Sequence, residues 1–339
     1  MAQIQELHCA ACGRRHGPRE TDYVCLSCGG NLEVVYDYAR AKSELTRKRL
    51  AADGDRSLWR YAALLPVAGR AGLPPVQLGW TPLYKADRLA QDLGLKEVWL
   101  KDEGRSASAS FKDRASAVVL ARALEQKRPV IAVASTGNAA ASLACLAAGA
   151  KTKAVIFVPK TAPAAKLAQL LIFGARVVTV EGGYDEAFEL CLQACQEYGW
   201  YNRSTGYNPF TREGKKTCAF ELCEQLGWKI PDFIFVPAGD GNIISGIWKG
   251  LRELRTLGLI SRAPRLVAAQ AAGSDSIARA VASGGSPRPC RAQTIADSIS
   301  VRLPKDGDAA VAAVRQSGGF AVRVSDAEIL AAMRELARR

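Results

Sequence analysis

From about residue 98 onward the chain alternates between short apolar runs and longer amphipathic ones, and this order constrains the fold more than any other feature. Residues 130–134, 154–158, 177–180, 233–236 and 266–269 read as short, continuous apolar strands. Helical patterns at 139–148, 164–173, 184–198 and 243–257 lie among them. A strand that is apolar along its whole length is buried on both faces, and strand–helix–strand order calls for parallel pairing. The expected fold class is therefore α/β, not all-α or all-β. We expect two lobes, 61–204 and 205–339, with a cleft between them where strand carboxyl ends place ligand loops.

Residues 1–38 read differently. Cys9 and Cys12 form one C-x2-C pair and Cys25 and Cys28 another, with twelve residues between the pairs. Each pair is followed by a glycine, Gly13 or Gly29, which lets the knuckle amides turn back towards sulfur. Four thiolates around a structural zinc fit this spacing better than four buried or disulfide-bonded cysteines in a reducing compartment. A zinc ribbon of this kind stabilises or docks and specifies no chemistry. A charged segment at 39–60 is expected to link it to the main body. Cys145, Cys191, Cys195, Cys218 and Cys223 fall in predicted helices and read as small core residues.

The net charge of +13 is spread along the chain, with one modest cluster at Lys42, Arg47, Lys48 and Arg49. No aromatic residues interleave with that cluster, so nucleic-acid binding is not expected. Dispersed positive charge suits an anionic small substrate or cofactor. No uncharged apolar run approaches the ~18 residues of a membrane span. The first residues lack the basic and apolar regions of a secretory signal, so the ten cysteines are expected as reduced thiols in the cytoplasm.

Three segments carry candidate chemistry, each expected at a strand-to-helix turn. The first, residues 108–115, puts Lys112 between Phe111 and an Asp-Arg pair where a helix should begin. The positive end of a helix dipole disfavours a cation, and a neutral lysine amine is what condenses with a carbonyl cofactor. The octamer alone reads equally well as a solvated surface lysine. The second, Ser135-Thr136-Gly137-Asn138, follows the 130–134 strand and brings amides to an anion at a helix N-terminus. The third contains Gly239, Asp240, Gly241, Asn242 and Ile243, a glycine loop able to curl its amides around a phosphate. Asp240 opposes that role unless its carboxylate is held away from the phosphate.

Together these segments resemble the fold-type II pyridoxal-phosphate enzymes, of tryptophan synthase β-like architecture, and specifically the threonine synthase family. Gly79-Trp80-Thr81-Pro82-Leu83 resembles the family's entry motif, and 101–103 with 110–114 its Schiff-base segment. The four-cysteine ribbon also occurs in some members, and the resemblance runs from about residue 5 to 339. It implies pyridoxal 5'-phosphate as cofactor, with Lys112 as the Schiff-base lysine and catalytic base. Asn138 would meet the cofactor's phenolic oxygen, and Ser135 and Thr136 the substrate carboxylate. Gly239, Asp240, Gly241, Asn242 and Ile243 would form the phosphate cradle. Phe111 would pack near the ring, or equally serve as an ordinary core aromatic.

The implied reaction converts O-phospho-L-homoserine and water to L-threonine and phosphate, on a small amino-acid substrate and in an enzyme that can form a homodimer. Two departures bear on it. The family's Asn-Pro-Tyr-Arg segment reads Asn208-Pro209-Phe210-Thr211-Arg212 here, moving the arginine one position, or about 100° on a helix. Arg212, Lys215 or Lys216 could then grip the substrate phosphate. The resemblance also implies a Ser or Thr partner of the pyridine nitrogen past Arg338 and Arg339, beyond the helix opened by Ser325 and Glu328. The alternatives are a threonine/serine dehydratase or diamino-acid ammonia-lyase, and a truncated, non-catalytic binding protein.

Overall fold

A computed structural model describes residues 4–150 and 152–338. Residues 1–3 of the expected ribbon and Arg339 lie outside the described residues. The chain forms two compact units, Met1–Trp80 with Ser106–Thr217, and Thr81–Arg105 with Cys218–Arg339. The segment Thr81–Arg105 thus groups with the second unit, although it precedes most of the first in sequence.

The first unit holds a four-stranded parallel sheet in the order Arg176–Val180, Lys153–Pro159, Val130–Ala134, Tyr201–Asn202. Its register pairs Ile131 with Ala154 on one side and with Tyr201 on the other. The apolar runs explain this sheet directly. Ala132, Ala134, Val155 and Phe157 pack with Ala187, Cys191 and Cys195 of the helix Tyr184–Tyr198. The alternate residues Ile131, Val133, Ile156 and Val158 are as deeply buried on the other face. Both faces are therefore covered, as continuous apolar strands require.

Chain order explains where a ligand loop can sit. From Val130–Ala134 the chain steps outward to Lys153–Pro159 and Arg176–Val180, then returns to add Tyr201–Asn202 on the opposite side. The loop after Val130–Ala134 leads one way while the neighbouring strand's exit leads the other. That reversal opens a crevice at the carboxyl ends of Val130–Ala134 and Tyr201–Asn202.

The ribbon is a three-stranded antiparallel sheet, ordered Arg15–His16, Ile4–Cys9, Leu32–Tyr36. The charged segment 39–60 is structured rather than a linker. It forms the helices Tyr38–Glu44 and Arg47–Ala52, capped by the side chains of Asp37 and Thr46, and starts the 3-10 stretch Leu58–Leu64. Ala41 and Leu50 are buried along it, so a sparse set of apolar residues was enough to dock a largely charged stretch.

In the second unit the parallel sheet runs Phe233–Pro237, Arg265–Ala271, Phe320–Val324. The helices Asn242–Thr256, Ser276–Ser283 and Gly307–Gln316 pack with it. The final helix, Asp326–Arg338, opens on the expected capping box: Glu328 N–H donates to Ser325 Oγ, and Ser325 N–H donates to Glu328 Oε2. Among the described residues, no helix is long and apolar enough to cross a membrane.

One contact fixes the interior of the first unit. The helix Phe210–Gln225 crosses the helix Lys112–Glu125 at Gly214, where an added Cβ would lie 1.9 Å from the Arg114 carbonyl oxygen. Only glycine lets the two backbones approach this closely. Gly214→Ala is therefore expected to destabilise the protein by about 3 kcal/mol or more, the upper end of overpacking costs. Denaturant unfolding of the variant, read as a fall in midpoint at unchanged slope, checks this.

Candidate active site and metal centre

The sulfurs of Cys9, Cys12, Cys25 and Cys28 all lie within 4.8 Å of one another. Cys9 and Cys28 are 3.5 Å apart, and Cys12 and Cys25 3.7 Å. Four bonds of about 2.3 Å in a tetrahedron put sulfurs roughly 3.8 Å apart, so the donor set fits a metal such as zinc. Gly13 and Gly29 both take positive φ, at 76° and 69°, as the knuckle turns demand. Their amides close the turns onto the carbonyls of Cys9 and Cys25, while the Cys12 amide reaches Cys9 Sγ at 3.5 Å.

Two ribbon features were not legible in the spacing. A Cβ on Gly30 would sit 3.2 Å from the sulfurs of Cys9 and Cys28 and 2.9 Å from Ala11, so glycine keeps the cluster open. His16 is buried, with Nε2 3.3 Å from Cys25 Sγ and Nδ1 3.1 Å from Glu20 Oε1. Burial opposes ionisation of Cys25, yet the His16 contact and the amides of Ser27 and Cys28 hold its thiol down at about 5. The other cysteines singled out in helices behave as core residues, with Cys191, Cys195, Cys218 and Cys223 all buried and Cys145 half-buried.

Lys112 is the first residue of its helix, and its amide donates to Ser110 Oγ at 3.2 Å. The residue after it, Asp113, is fully buried and accepts from Ser108 N–H at 2.7 Å and Ser108 Oγ at 2.5 Å. That clasp fixes the turn from which the lysine projects. The connection that leads into this helix is longer than a tight strand-to-helix turn. The preceding strand, Trp99–Lys101, pairs antiparallel with Leu83–Lys85, and a 3-10 turn at Glu103–Arg105 intervenes. Within this connection Asp102 and Ser110 accept from the amides of Gly104 and Lys112, local bonds that compete with strand pairing.

The Ser135–Asn138 stretch lies at the sheet reversal described above. Ser135 Oγ accepts from the Gly137 amide at 3.1 Å, and Asn138 opens the helix Asn138–Ala148 with its side chain exposed. Thr136 is half-buried beside them. The helices behind Lys112 and Asn138 are joined where Ser142 Oγ donates to Ser116 Oγ at 2.8 Å. Arg203, at the exit of Tyr201–Asn202, completes this join. It is fully buried and donates Nε–H to Ser116 Oγ at 3.2 Å and Nη1–H to Thr205 Oγ1 at 2.8 Å. Burial lowers its pKa against the pull of Asp113, though a guanidinium stays charged at neutral pH. Nothing in the local sequence marked Arg203.

Asn208 is buried and organises its own segment, donating Nδ2–H to the Asn202 carbonyl at 2.7 Å and accepting from Phe210 N–H at 2.9 Å. Arg212, Lys215 and Lys216 follow on the helix Phe210–Gln225, all buried. Phe111 is half-buried, with the Arg114 guanidinium 5.6 Å from its ring centroid.

In the second unit, Ala238–Asn242 turns from the strand Phe233–Pro237 into the helix Asn242–Thr256. Cβ atoms added at Gly239 and Gly241 would meet Ile299 Cα at 2.8 Å and the Asp306 carbonyl oxygen at 2.7 Å. Gly241 also takes φ of 89°. The loop is thus a backbone cradle at the start of a fifteen-residue helix, which suits a phosphate group. The carboxylate of Asp240 accepts from the Lys305 amide at 2.8 Å. Asn242 and Ser245 both donate to the buried carboxylate of Asp306, at 3.0 and 2.5 Å. The side chain of Asn242 therefore braces the loop, leaving backbone amides as the donors, and Ile243 follows half-buried. Asp306, more than sixty residues from the loop, was missed because no local pattern signals it.

A parallel-sheet chain with a helix-opening lysine, a small-residue loop at the sheet reversal and a glycine-lined backbone loop has close counterparts. The family described as pyridoxal-phosphate dependent enzymes matches residues 76–339, and the chain belongs to that family. The likeness extends through the ribbon to particular members. Threonine synthase of Methanosarcina acetivorans is 39% identical over 99% of this chain and 82% of its own length. That of Methanocaldococcus jannaschii is 38% identical over 98% of this chain and 82% of its own. Within the family, the chain belongs with the threonine synthases. Among solved structures, maize serine racemase shares the fold with a TM-score of 0.66, at 24% identity, covering 88% of this chain and 78% of its own.

The cysteine cluster yields a direct expectation. Substituting cobalt should give thiolate-to-metal absorbance of a four-sulfur tetrahedral site. A double variant Cys25→Ser, Cys28→Ser should lose both that absorbance and the bound metal while keeping cofactor absorbance, as read on the same purified samples.

Proposed function

We propose that this chain converts O-phospho-L-homoserine and water to L-threonine and phosphate, using pyridoxal 5'-phosphate, with zinc held by Cys9, Cys12, Cys25 and Cys28. Its full-length likeness to threonine synthases supports this reading, and one physical observation carries the substrate class. Arg114, Arg122, Arg203, Arg212, Lys215 and Lys216 are buried in the segments 112–122 and 203–216, whereas Asp113 and Glu213 are the buried carboxylates there. An interior this rich in lysine and arginine suits a negatively charged ligand. A substrate that carries both a carboxylate and a phosphate supplies such charge.

When bound, the cofactor supplies the electron sink that makes the hydrogen on the substrate's α carbon acidic. Lys112 is the attachment amine, and its Nζ takes and returns the proton at that carbon. Its place at a helix start favours the neutral amine that both tasks need. Asn138 would donate to an oxygen anion of the cofactor, and Phe111 would pack near it or serve as an ordinary core aromatic. Ser135, Thr136 and the amides beside them hold the substrate carboxylate. The amides of Gly239, Asp240, Gly241, Asn242 and Ile243 receive the cofactor phosphate. Asn208 shapes the segment from which Arg212 grips the leaving phosphate with parallel hydrogen bonds that a lysine could not make. A reducing, cytoplasmic compartment keeps the four thiols available as ligands.

Incubation of the purified protein with O-phosphohomoserine and, separately, with threonine tests the reaction. Phosphate release from the first with no ammonia from the second is expected, whereas ammonia from threonine would favour a dehydratase. Lys112→Ala should abolish both turnover and the visible absorbance of the bound cofactor. Arg212→Ala should leave that absorbance in place and lower kcat/KM about 10- to 150-fold, the value of one charged hydrogen bond of about 1.5–3 kcal/mol. An unchanged kcat/KM would assign the grip to Lys215 or Lys216.

A further inference from the structure

The ribbon meets the segment 202–216 at two points. Tyr36 ends the ribbon strand Leu32–Tyr36 fully buried, and its hydroxyl donates to Glu213 Oε2 at 2.7 Å. The same oxygen is 2.6 Å from Lys216 Nζ, which lies 4.1 Å from the Tyr36 ring centroid. Phenol, carboxylate and ammonium thus form a buried triad in which each member answers the other two. At the other point, Tyr23 accepts from the Asn202 amide at 3.0 Å and stacks on Tyr207 with ring centroids 4.9 Å apart.

These two tethers bracket Asn208 and Arg212. Glu213 directly follows Arg212 on the first turn of the helix, so the triad fixes the rotation of that turn about its axis. A shift of one residue on a helix swings a side chain by about 100°, so a small loss of rotational restraint displaces a guanidinium far more than it displaces the backbone. The four-cysteine cluster lies outside this contact, in the same ribbon as the strand from which Tyr36 projects.

We propose that Tyr36 is a positioning residue for substrate recognition: through Glu213 it holds the helical turn that presents Arg212 to the substrate's phosphate. The inference rests on the reading above that Arg212 grips that phosphate. It makes the ribbon a device for substrate affinity as well as stability, acting on phosphate binding and not on cofactor attachment.

The test compares Tyr36→Phe, Glu213→Gln and Arg212→Ala in the metal-loaded, cofactor-bound protein. Tyr36→Phe keeps the ring over Lys216 and removes only the hydroxyl. It is expected to raise KM for O-phosphohomoserine about tenfold, equivalent to about 1.4 kcal/mol, with kcat and cofactor absorbance unchanged. Glu213→Gln should show the same split. Amide hydrogen exchange should rise across 203–212 in both variants, while the strand Val130–Ala134 keeps its protection. A Tyr36→Phe protein with unaltered KM, beside an Arg212→Ala protein whose KM rises, overturns the inference alone. Parallel loss of kcat, KM and cofactor absorbance also overturns it, because that pattern marks a purely structural contact. If Arg212→Ala itself leaves KM unchanged, the reading of Arg212 fails and the inference fails with it.

Discussion

The close passage of two helices at Gly214 is the constraint on which the first unit turns. Because backbone there meets backbone, the helix Phe210–Gln225 cannot move closer to or slide past the helix Lys112–Glu125 without a steric clash. Arg114 adds a polar lock on the same line, donating Nη1–H to Thr217 Oγ1 at 2.9 Å. The proposed cofactor lysine opens one of these helices and the proposed phosphate-gripping arginine lies near the start of the other. Their spacing is therefore a property of main-chain packing.

Much of the architecture was legible because parallel strands announce themselves. The helix 184–198 matches its expected bounds, as does the strand 130–134, and the other strands and helices differ by a residue or two at their ends. Continuous apolar runs are sufficient for this, since a strand buried on both faces has no alternative composition. The four cysteines and the helix-opening lysine were equally visible, because each depends on local spacing. What escaped reading depends on long-range contact. Gly214 looks like a poor helix residue until Arg114 is placed against it. Asp306, Arg203 and Tyr36 are ordinary residues whose partners lie tens to hundreds of positions away. The segment 39–60 was misread as a linker because its charge masks the few apolar residues that dock it.

The positive balance of the chain takes on a different meaning once burial is known. The lysines and arginines are dispersed in sequence, a pattern that ordinarily marks a solvated surface. Several of them instead lie in the interior near the helices that begin at Lys112 and Phe210. Interior cations are expensive, and neighbours answer them: Glu213 meets Lys216, Asp22 meets Arg122, and hydroxyls accept from Arg114 and Arg203.

The Tyr23 contact has a consequence for the protein's behaviour in solution. Tyr201–Asn202 is the outermost strand of its sheet, and an outer strand offers unpaired amides on which another chain can grow. Here the strand is only two residues long, and the phenol of Tyr23 occupies the outward-facing Asn202 amide. The ribbon therefore closes the open flank of the sheet. Loss of the Tyr23 contact would expose that flank, and the protein would tend to associate with its own kind before its core came apart.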